Sequence, residues 1–419
     1  MRTRLLLLAF LAVVALSETH SRFVNSPGVD FYHYWGVGKA SQFSSQPLGS
    51  PYANRDAYAA ALNARADSGV EDARFEAANQ RRRQLDLTGT PLFYACFRLL
   101  PSDYSFAFAL HQSLQVLLLV VSVLLLGRLH RVSPYEALAL GLLLVFVYWP
   151  MLSDLRVGNV STFQLAAIVA LTASAARGVR GGGFLAALTF LTMLKPTIGL
   201  VTALLALQLW SRRPASRKIP AFLPSVAVAA AGFALPCVVF GSWSVWTDWI
   251  ALLRERGEFP IAEGNHSTPL LLSEAFGVSV VTAAWAVLVL LLLSAALALW
   301  RAGWGKARFL EEPMRLAAIG IVATLALSRL AWAHYFVLSL LPALWLFWSQ
   351  RRGGVWLATI SLALTSTLLG AIVELSGWSS LVRYSLAASW VPLWIGALTA
   401  RAVTERTPTG RSPRGLHLQ

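Results

Sequence analysis

Long apolar stretches of Leu, Ala and Val alternate along the chain with short polar caps. Stretches of roughly 18 residues or more read as membrane-spanning helices. In hydrocarbon every backbone N–H and C=O has to be paired within the protein, which only helices and closed barrels achieve. The runs are continuous, without the alternation of ten-residue barrel strands, so helices are predicted. The pattern predicts an all-α, polytopic membrane protein of about twelve spans. They fall at 4–22, 105–127, 135–151, 159–176, 183–194, 197–210, 221–240, 278–300, 314–330, 335–349, 354–374 and 384–401. Residues 1–401 form one integral membrane domain with a large first outer loop at 23–104, and 402–419 form a disordered cytoplasmic tail. The first stretch, Leu5–Leu16 behind Arg2 and Arg4, also has the form of a signal peptide. It is read as an uncleaved helix.

The stretch from Gly183 to Trp210 has basic clusters on both sides and Lys195-Pro196 at its middle. Each half spans about 20 Å at 1.5 Å per residue, short of a hydrocarbon core of about 30 Å. A broken or re-entrant hairpin with Lys195-Pro196 at its apex is expected, and one long tilted helix is the alternative.

Basic residues set the orientation. One set of loops carries Arg2 and Arg4; Arg128 and Arg131; Arg177 and Arg180; Arg212, Arg213, Arg217 and Lys218; Arg301, Lys306 and Arg308; Arg351 and Arg352; and Arg401, Arg406, Arg411 and Arg414. The opposite short loops carry only Arg156, Arg254, Arg256, Arg329 and Arg383. The richer set is cytoplasmic by the positive-inside rule, so both termini are expected inside the cell inner membrane. The net charge of +15 is therefore topology signal, and no nucleic-acid partner is expected. With 56% hydrophobic and 13% charged residues, against about 25% charged in soluble domains, composition agrees with a membrane protein. The two cysteines, Cys96 and Cys237, fix no disulfide framework and read as buried thiols.

In the first outer loop, residues 53–87 are charged, and Tyr58 and Leu62 share a helical face. An amphipathic helix or helix pair lying on the membrane is expected. The loop near 241–277 is rich in tryptophan (Trp243, Trp246, Trp249), as interfacial belts are.

Polar residues crowd toward the outer side: Asp30, Asp154, Arg156, Asn159, Lys195, Glu263, Asn265, His266, Arg329, His334 and Glu374. An intramembrane charge costs about 2.5–3.5 kcal/mol on insertion scales, so charges that persist at helix ends point to a cavity or a partner. Asp30 sits among Tyr32, His33, Tyr34 and Trp35. Partial desolvation there suits a general base, and the aromatics suit stacking on sugar rings. An interfacial aromatic belt with a helix-capping aspartate is the plainer reading. Lys195 between apolar helices suits a phosphate counter-ion, or else a snorkelling side chain. Arg329 and His334 form a second basic pair, and Gly264-Asn265-His266-Ser267-Thr268 offers polar contacts for a sugar or a phosphate. His33, His266 and His334 lack a recognised metal-ligand spacing; no cofactor is predicted, although a divalent metal stays open.

Taken in order, these motifs resemble bacterial glycosyltransferase family 87. They are Asp30-Phe-Tyr-His-Tyr-Trp35, Pro51-Tyr52, the Pro91 turn into a helix, Gly158-Asn159-Val-Ser-Thr-Phe-Gln164, Leu194-Lys195-Pro196, Gly264-Asn265-His-Ser267, and Ser328-Arg-Leu-Ala-Trp-Ala-His334-Tyr335. Arg329 stands where the family usually has proline, and Thr90-Pro91 reduces a Tyr-Pro-Pro-like element. The resemblance implies a GT-C-like bundle and transfer of a hexose, by analogy mannose, from a polyprenyl-phosphate-sugar donor to a glycan or glycolipid acceptor. The site would face the periplasm or exterior, with inversion at the anomeric carbon. It implies Asp30 as base and Lys195, Arg329 and His334 at the donor phosphate. Tyr32, His33, Tyr34, Asp154, Arg156, Asn159, Asn265, Ser267 and Tyr335 would then contact substrate. Membrane lipid is the remaining partner. A transporter or flippase of lipid-linked sugars is the competing reading; it would favour inverted repeats and polar residues at midplane, and neither is evident in the sequence.

Overall fold

The computed structural model describes residues 26–400 apart from 70–71, 86, 180, 213, 215–217, 256–263, 303–310, 350–351, 368 and 370–378, together with Phe10 and Val13. Apart from those two residues, the expected first span lies outside the described residues, as do Glu263, Glu374 and the tail 402–419.

The described chain is helical, with a single isolated bridge between Tyr148 and Ser366. The segment expected as the first outer loop contributes α1 (Val29–Phe43), α2 (Arg55–Asp67), α3 (Ala73–Arg81) and α4 (Pro91–Phe97). Then follow α5 (Tyr104–Leu129), α6 (Pro134–Val147), α7 (Trp149–Val157), α8 (Ser161–Ala176), α9 (Gly182–Leu194), α10 (Gly199–Ser211) and α11 (Lys218–Phe240). The remainder comprises α12 (Val245–Glu255), α13 (Thr268–Phe276), α14 (Val280–Ala302), α15 (Pro313–Leu327), α16 (Leu340–Trp348), α17 (Arg352–Leu364), α18 (Ser379–Ala388) and α19 (Trp390–Thr399). Local chemistry explains several starts. Asp72, Thr90 and Asp103 are N-caps whose side chains accept Phe75 N, Phe93 N and Phe106 N, and Pro91 occupies the first turn of α4, where its missing N–H costs nothing.

Among the described residues, three helices are long and apolar enough to cross a membrane: Tyr104–Leu129, Ile219–Phe240 and Val280–Arg301. Other apolar helices are shorter, and α7 and α8 form a bent pair at 119°. Several expected spans are therefore interrupted. The one expected at 135–151 stops at Val147 because Tyr148 is extended and Trp149 N donates to Thr365 O at 3.0 Å in place of a carbonyl one turn back. Pro150 then restarts the chain as α7, in a new direction. The segment expected at 335–349 opens as a 3-10 turn, Ala333–Ser339, before α16, and the one at 384–401 is divided between α18 and α19. Hydropathy reads such pieces as continuous because it senses apolar character and not direction.

The break at Lys195-Pro196 is real. Thr192 and Thr202 hydroxyls meet at 2.6 Å across it. In one straight helix these residues would lie about 15 Å apart along the axis, so the single tilted helix is excluded here.

The apolar side chains form two clusters. One fills the bundle from α5 to α19. The other is built on α1 and takes in Tyr58 and Leu62 of α2, Phe75 of α3, Phe93 and Phe97 of α4, and Tyr104 and Phe108 of α5. The expected helix pair at 53–87 exists as α2 and α3, but its apolar face covers α1. Gly36 permits the contact, since a Cβ there would stand 2.9 Å from Leu62 Cδ1. Lys39 and Arg98 pin this outer module to the bundle. Lys39 Nζ donates to Arg98 O at 2.9 Å just past the end of α4, and the Arg98 guanidinium donates to Val239 O at 2.9 Å at the end of α11. Cations at helix C-termini complement the helix dipole. Of the two thiols, Cys237 is buried and Cys96 half-buried; both are free.

Candidate active site

The site forms where the two clusters meet. Two glycine turns bring its halves together. Gly28 (φ +67°) precedes α1, and Gly158 (φ +70°) closes α7. Both hold left-handed backbone that favours glycine. A Cβ at Gly28 would stand 2.6 Å from Phe108 Cζ, and one at Gly158 would stand 2.6 Å from Phe31 Cβ and 2.7 Å from Phe108 Cε2. Both turns thus rest on the Phe108 ring, and this closeness carries Asp30, in the first turn of α1, to Asn159, directly after Gly158.

Asn159 Nδ2 donates to Asp30 Oδ2 and to Tyr34 Oη, each at 2.8 Å. His334 Nε2, from the 3-10 turn before α16, stands 3.9 Å from Asp30 Oδ2, and Tyr335 meets the His334 ring edge to face at 4.7 Å. Lys195 sits at the break between α9 and α10, outside both helices. Its ammonium lies 5.7 Å from the Tyr34 ring centroid and 5.0 Å from that of Phe93, both within cation–π range. Burial pulls the Lys195 pKa down to about 8, against the opposing pull of Asp30 and Asp154. Asp30, through Asn159, and Lys195, over the ring, are therefore both brought to Tyr34. Thr90 fixes the lysine turn: its hydroxyl donates to Leu194 O at 3.1 Å while capping α4.

Other expected site residues fall into distinct positions. Arg156 is exposed but acts electrostatically on His334. Arg329 is exposed, and its carbonyl accepts Asn265 Nδ2 at 3.2 Å. Asn265 Oδ1 accepts Ala331 N at 2.9 Å and Ser267 N at 3.1 Å, and Ser267 Oγ donates to Ser328 O at 2.6 Å while capping α13. The 264–268 loop is thus stapled to the 328–331 segment. Tyr32 is buried, and its hydroxyl accepts Asn79 Nδ2 at 2.7 Å. His33 is buried against Tyr32. Both belong to the interior of the outer module. Asp154 is fully buried, its Oδ2 accepting Thr162 N at 2.9 Å, Thr162 Oγ1 at 2.6 Å and Gln115 Nε2 at 3.0 Å. It braces the α7–α8 bend.

Sequence reasoning missed His111, Gln115 and Phe93. A signal for the first two existed: His111, Gln112 and Gln115 interrupt an otherwise apolar helix within its first turns. Among the described residues, no three His, Cys, Asp or Glu side chains gather as a metal site.

This site combines a carboxylate, an imidazole and a desolvated ammonium beside the buried rings of Tyr34 and Phe93. The group can take a proton on one side and hold an anion on the other. No curated protein and no solved structure matches the chain. A family model, glycosyltransferase family 87, matches residues 89–328, more than half of the chain. The matched segment contains Asn159 and Lys195, while Asp30 and His334 flank it and join the site through the fold. By that match, the chain is a membrane glycosyltransferase and belongs to glycosyltransferase family 87.

Proposed function

We propose that this enzyme transfers a hexose, by analogy mannose, from a polyprenyl-phosphate-sugar donor to a glycan or glycolipid acceptor at the outer face of the inner membrane. The fold in this reading is a GT-C-like bundle of about twelve spans with both termini cytoplasmic. The observation that carries the proposal is the juxtaposition of Asp30 and Lys195 on either side of Tyr34. The acceptor hydroxyl oxygen attacks the anomeric carbon, and the bond from that carbon to the donor phosphate oxygen breaks. Asp30 takes the hydroxyl proton, and the departing polyprenyl phosphate leaves with the bond's electron pair. A single displacement inverts the anomeric centre. A positioned general base contributes about 10²–10⁴-fold. Lys195 neutralises charge on the leaving phosphate, where a water-poor setting strengthens each electrostatic contact. His334, its pKa lowered to about 3 chiefly by burial, stands beside Asp30 as a neutral imidazole that can hydrogen-bond substrate oxygens, and Arg156 adds positive potential there. In this reading exposed Arg329 and half-buried Tyr335 stand on the approach, with Arg329 meeting the phosphate, while buried Asn265 and Ser267 hold the 264–268 loop against the 328–331 segment.

Membership of a glycosyltransferase family favours transfer over transport of lipid-linked sugars. The test is direct. Protein purified in detergent is given polyprenyl phosphate carrying radiolabelled mannose, with glucose and arabinose counterparts, and a membrane acceptor extract. Transfer of one label to a larger glycan or glycolipid is expected. Transfer of none, by protein that remains monodisperse, would overturn the reading.

A further inference from the structure

We infer that Asn159 is a positioning residue for the base, and that Gln115, Asp154 and Thr162 form a buried frame that holds its amide toward Asp30 and Tyr34 together. The inference rests on the reading of Asp30 as base.

Asn159 is only 2% exposed, too little to meet a sugar directly. Its side-chain amide carries two hydrogens, and the two acceptors in reach are Asp30 Oδ2 and Tyr34 Oη. Its Oδ1 accepts Val160 N at 2.7 Å, which fixes which way the amide faces. Its main-chain carbonyl takes Gln115 Nε2 at 2.7 Å and pairs with His111 Nε2 at 2.9 Å. Gln115 Nε2 also reaches Asp154 Oδ2, which holds Thr162 twice. Gln115, Asp154 and Thr162 have no exposed surface.

Polar groups buried in an apolar bundle are costly unless satisfied. Gly158 already ends α7 at the 119° bend, yet α5, α7 and α8 each add a buried polar side chain: Gln115 bonds the Asn159 carbonyl directly, and Asp154, held by Thr162, is tied to it through Gln115. Through Tyr34, whose ring faces Lys195, Asn159 joins the proton-accepting side of the pocket to its anion-binding side. An amide N–H donated to a carboxylate favours the charged form, which is the form that acts as base. Ionisable groups facing Asp30 include His334, at 3.9 Å, and, at electrostatic range, Lys195, Asp154 and Tyr34.

The experiment compares wild type, Asn159→Ala, Gln115→Leu and Asp30→Asn as full-length proteins in detergent, each checked for monodispersity. Transfer is followed from pH 5 to 9 at varied donor concentration. For Asn159→Ala, kcat is expected to fall by about 10–100-fold, donor KM to change much less, and the acid limb of kcat to move up by about one pH unit. Gln115→Leu should shift the limb the same way by less, and it decides the matter if Asn159→Ala does not fold. An unmoved limb in a folded variant, whatever the fall in kcat, overturns the positioning role while leaving Asp30 as base. Wild-type transfer by Asp30→Asn is a separate outcome; it removes the base itself, and the inference with it.

Discussion

His334 Nε2 lies 3.9 Å from Asp30 Oδ2, an approach made by residues near opposite ends of the described chain. Neither residue lies in the segment that the family model matches, so their meeting is a product of folding. Burial holds the His334 pKa down to about 3, so the carboxylate has a neutral imidazole beside it.

Asp30→Asn keeps the shape of the side chain and its contact with Asn159 while removing the basic oxygen. Transfer should fall by about 10²–10⁴-fold with donor affinity nearly unchanged. Equilibrium binding of the donor and single-turnover transfer, measured side by side, check this. A parallel collapse of binding would instead make Asp30 a substrate ligand.

Lys195 gives a pH prediction. Its pKa is lowered to about 8, chiefly by burial, so the ammonium is present on the acid side and is lost as pH rises through that value. Donor KM should climb above about pH 8. Lys195→Met should raise it about 10–100-fold at pH 7, the scale of one charge-assisted hydrogen bond. Lys195→Arg, charged throughout, should flatten the alkaline rise.

Thr90→Val removes both the cap on α4 and the bond to Leu194 O. A lost N-cap costs about 1 kcal/mol. Thermal unfolding in detergent should drop modestly, and donor KM should rise because the turn carrying Lys195 is freed. An unchanged KM in a destabilised variant would show that the turn is held by other contacts.

Gly158→Ala meets two obstacles at once: a positive φ and a Cβ 2.6 Å from Phe31. Left-handed backbone alone costs a side-chain-bearing residue about 1–3 kcal/mol. The variant should be destabilised by at least that amount, and kcat should fall because Asn159 moves. Gly178→Ala, also at positive φ but with open space around it, is the control that separates backbone strain from the clash.

The residues that the fold gathers at the candidate site were legible in the sequence because polar groups are conspicuous in an apolar chain. Asp30, Asn159, Lys195 and His334 stand out against their neighbours, and the fold gathers them. The broken hairpin at Lys195-Pro196 was legible from length alone, since each half is too short for a bilayer. Less legible was the direction of polar side chains. Asn265, Ser267, Tyr32 and Asp154 look like ligands for a substrate, yet their hydrogen bonds are made within the protein. Sequence shows that a polar atom exists but not that a backbone carbonyl awaits it. The spans at 135–151 and 335–349 were misjudged for a related reason. A helix ends when a distant group takes its N–H, as Thr365 takes that of Trp149, and no local pattern announces such a partner.

Gly28 and Gly158 both sit against the ring of Phe108 near the start of the 26-residue helix α5. Close-packed contacts transmit displacement without slack. A shift of that long helix therefore carries both turns together, and with them the carboxylate and the amide that reaches it.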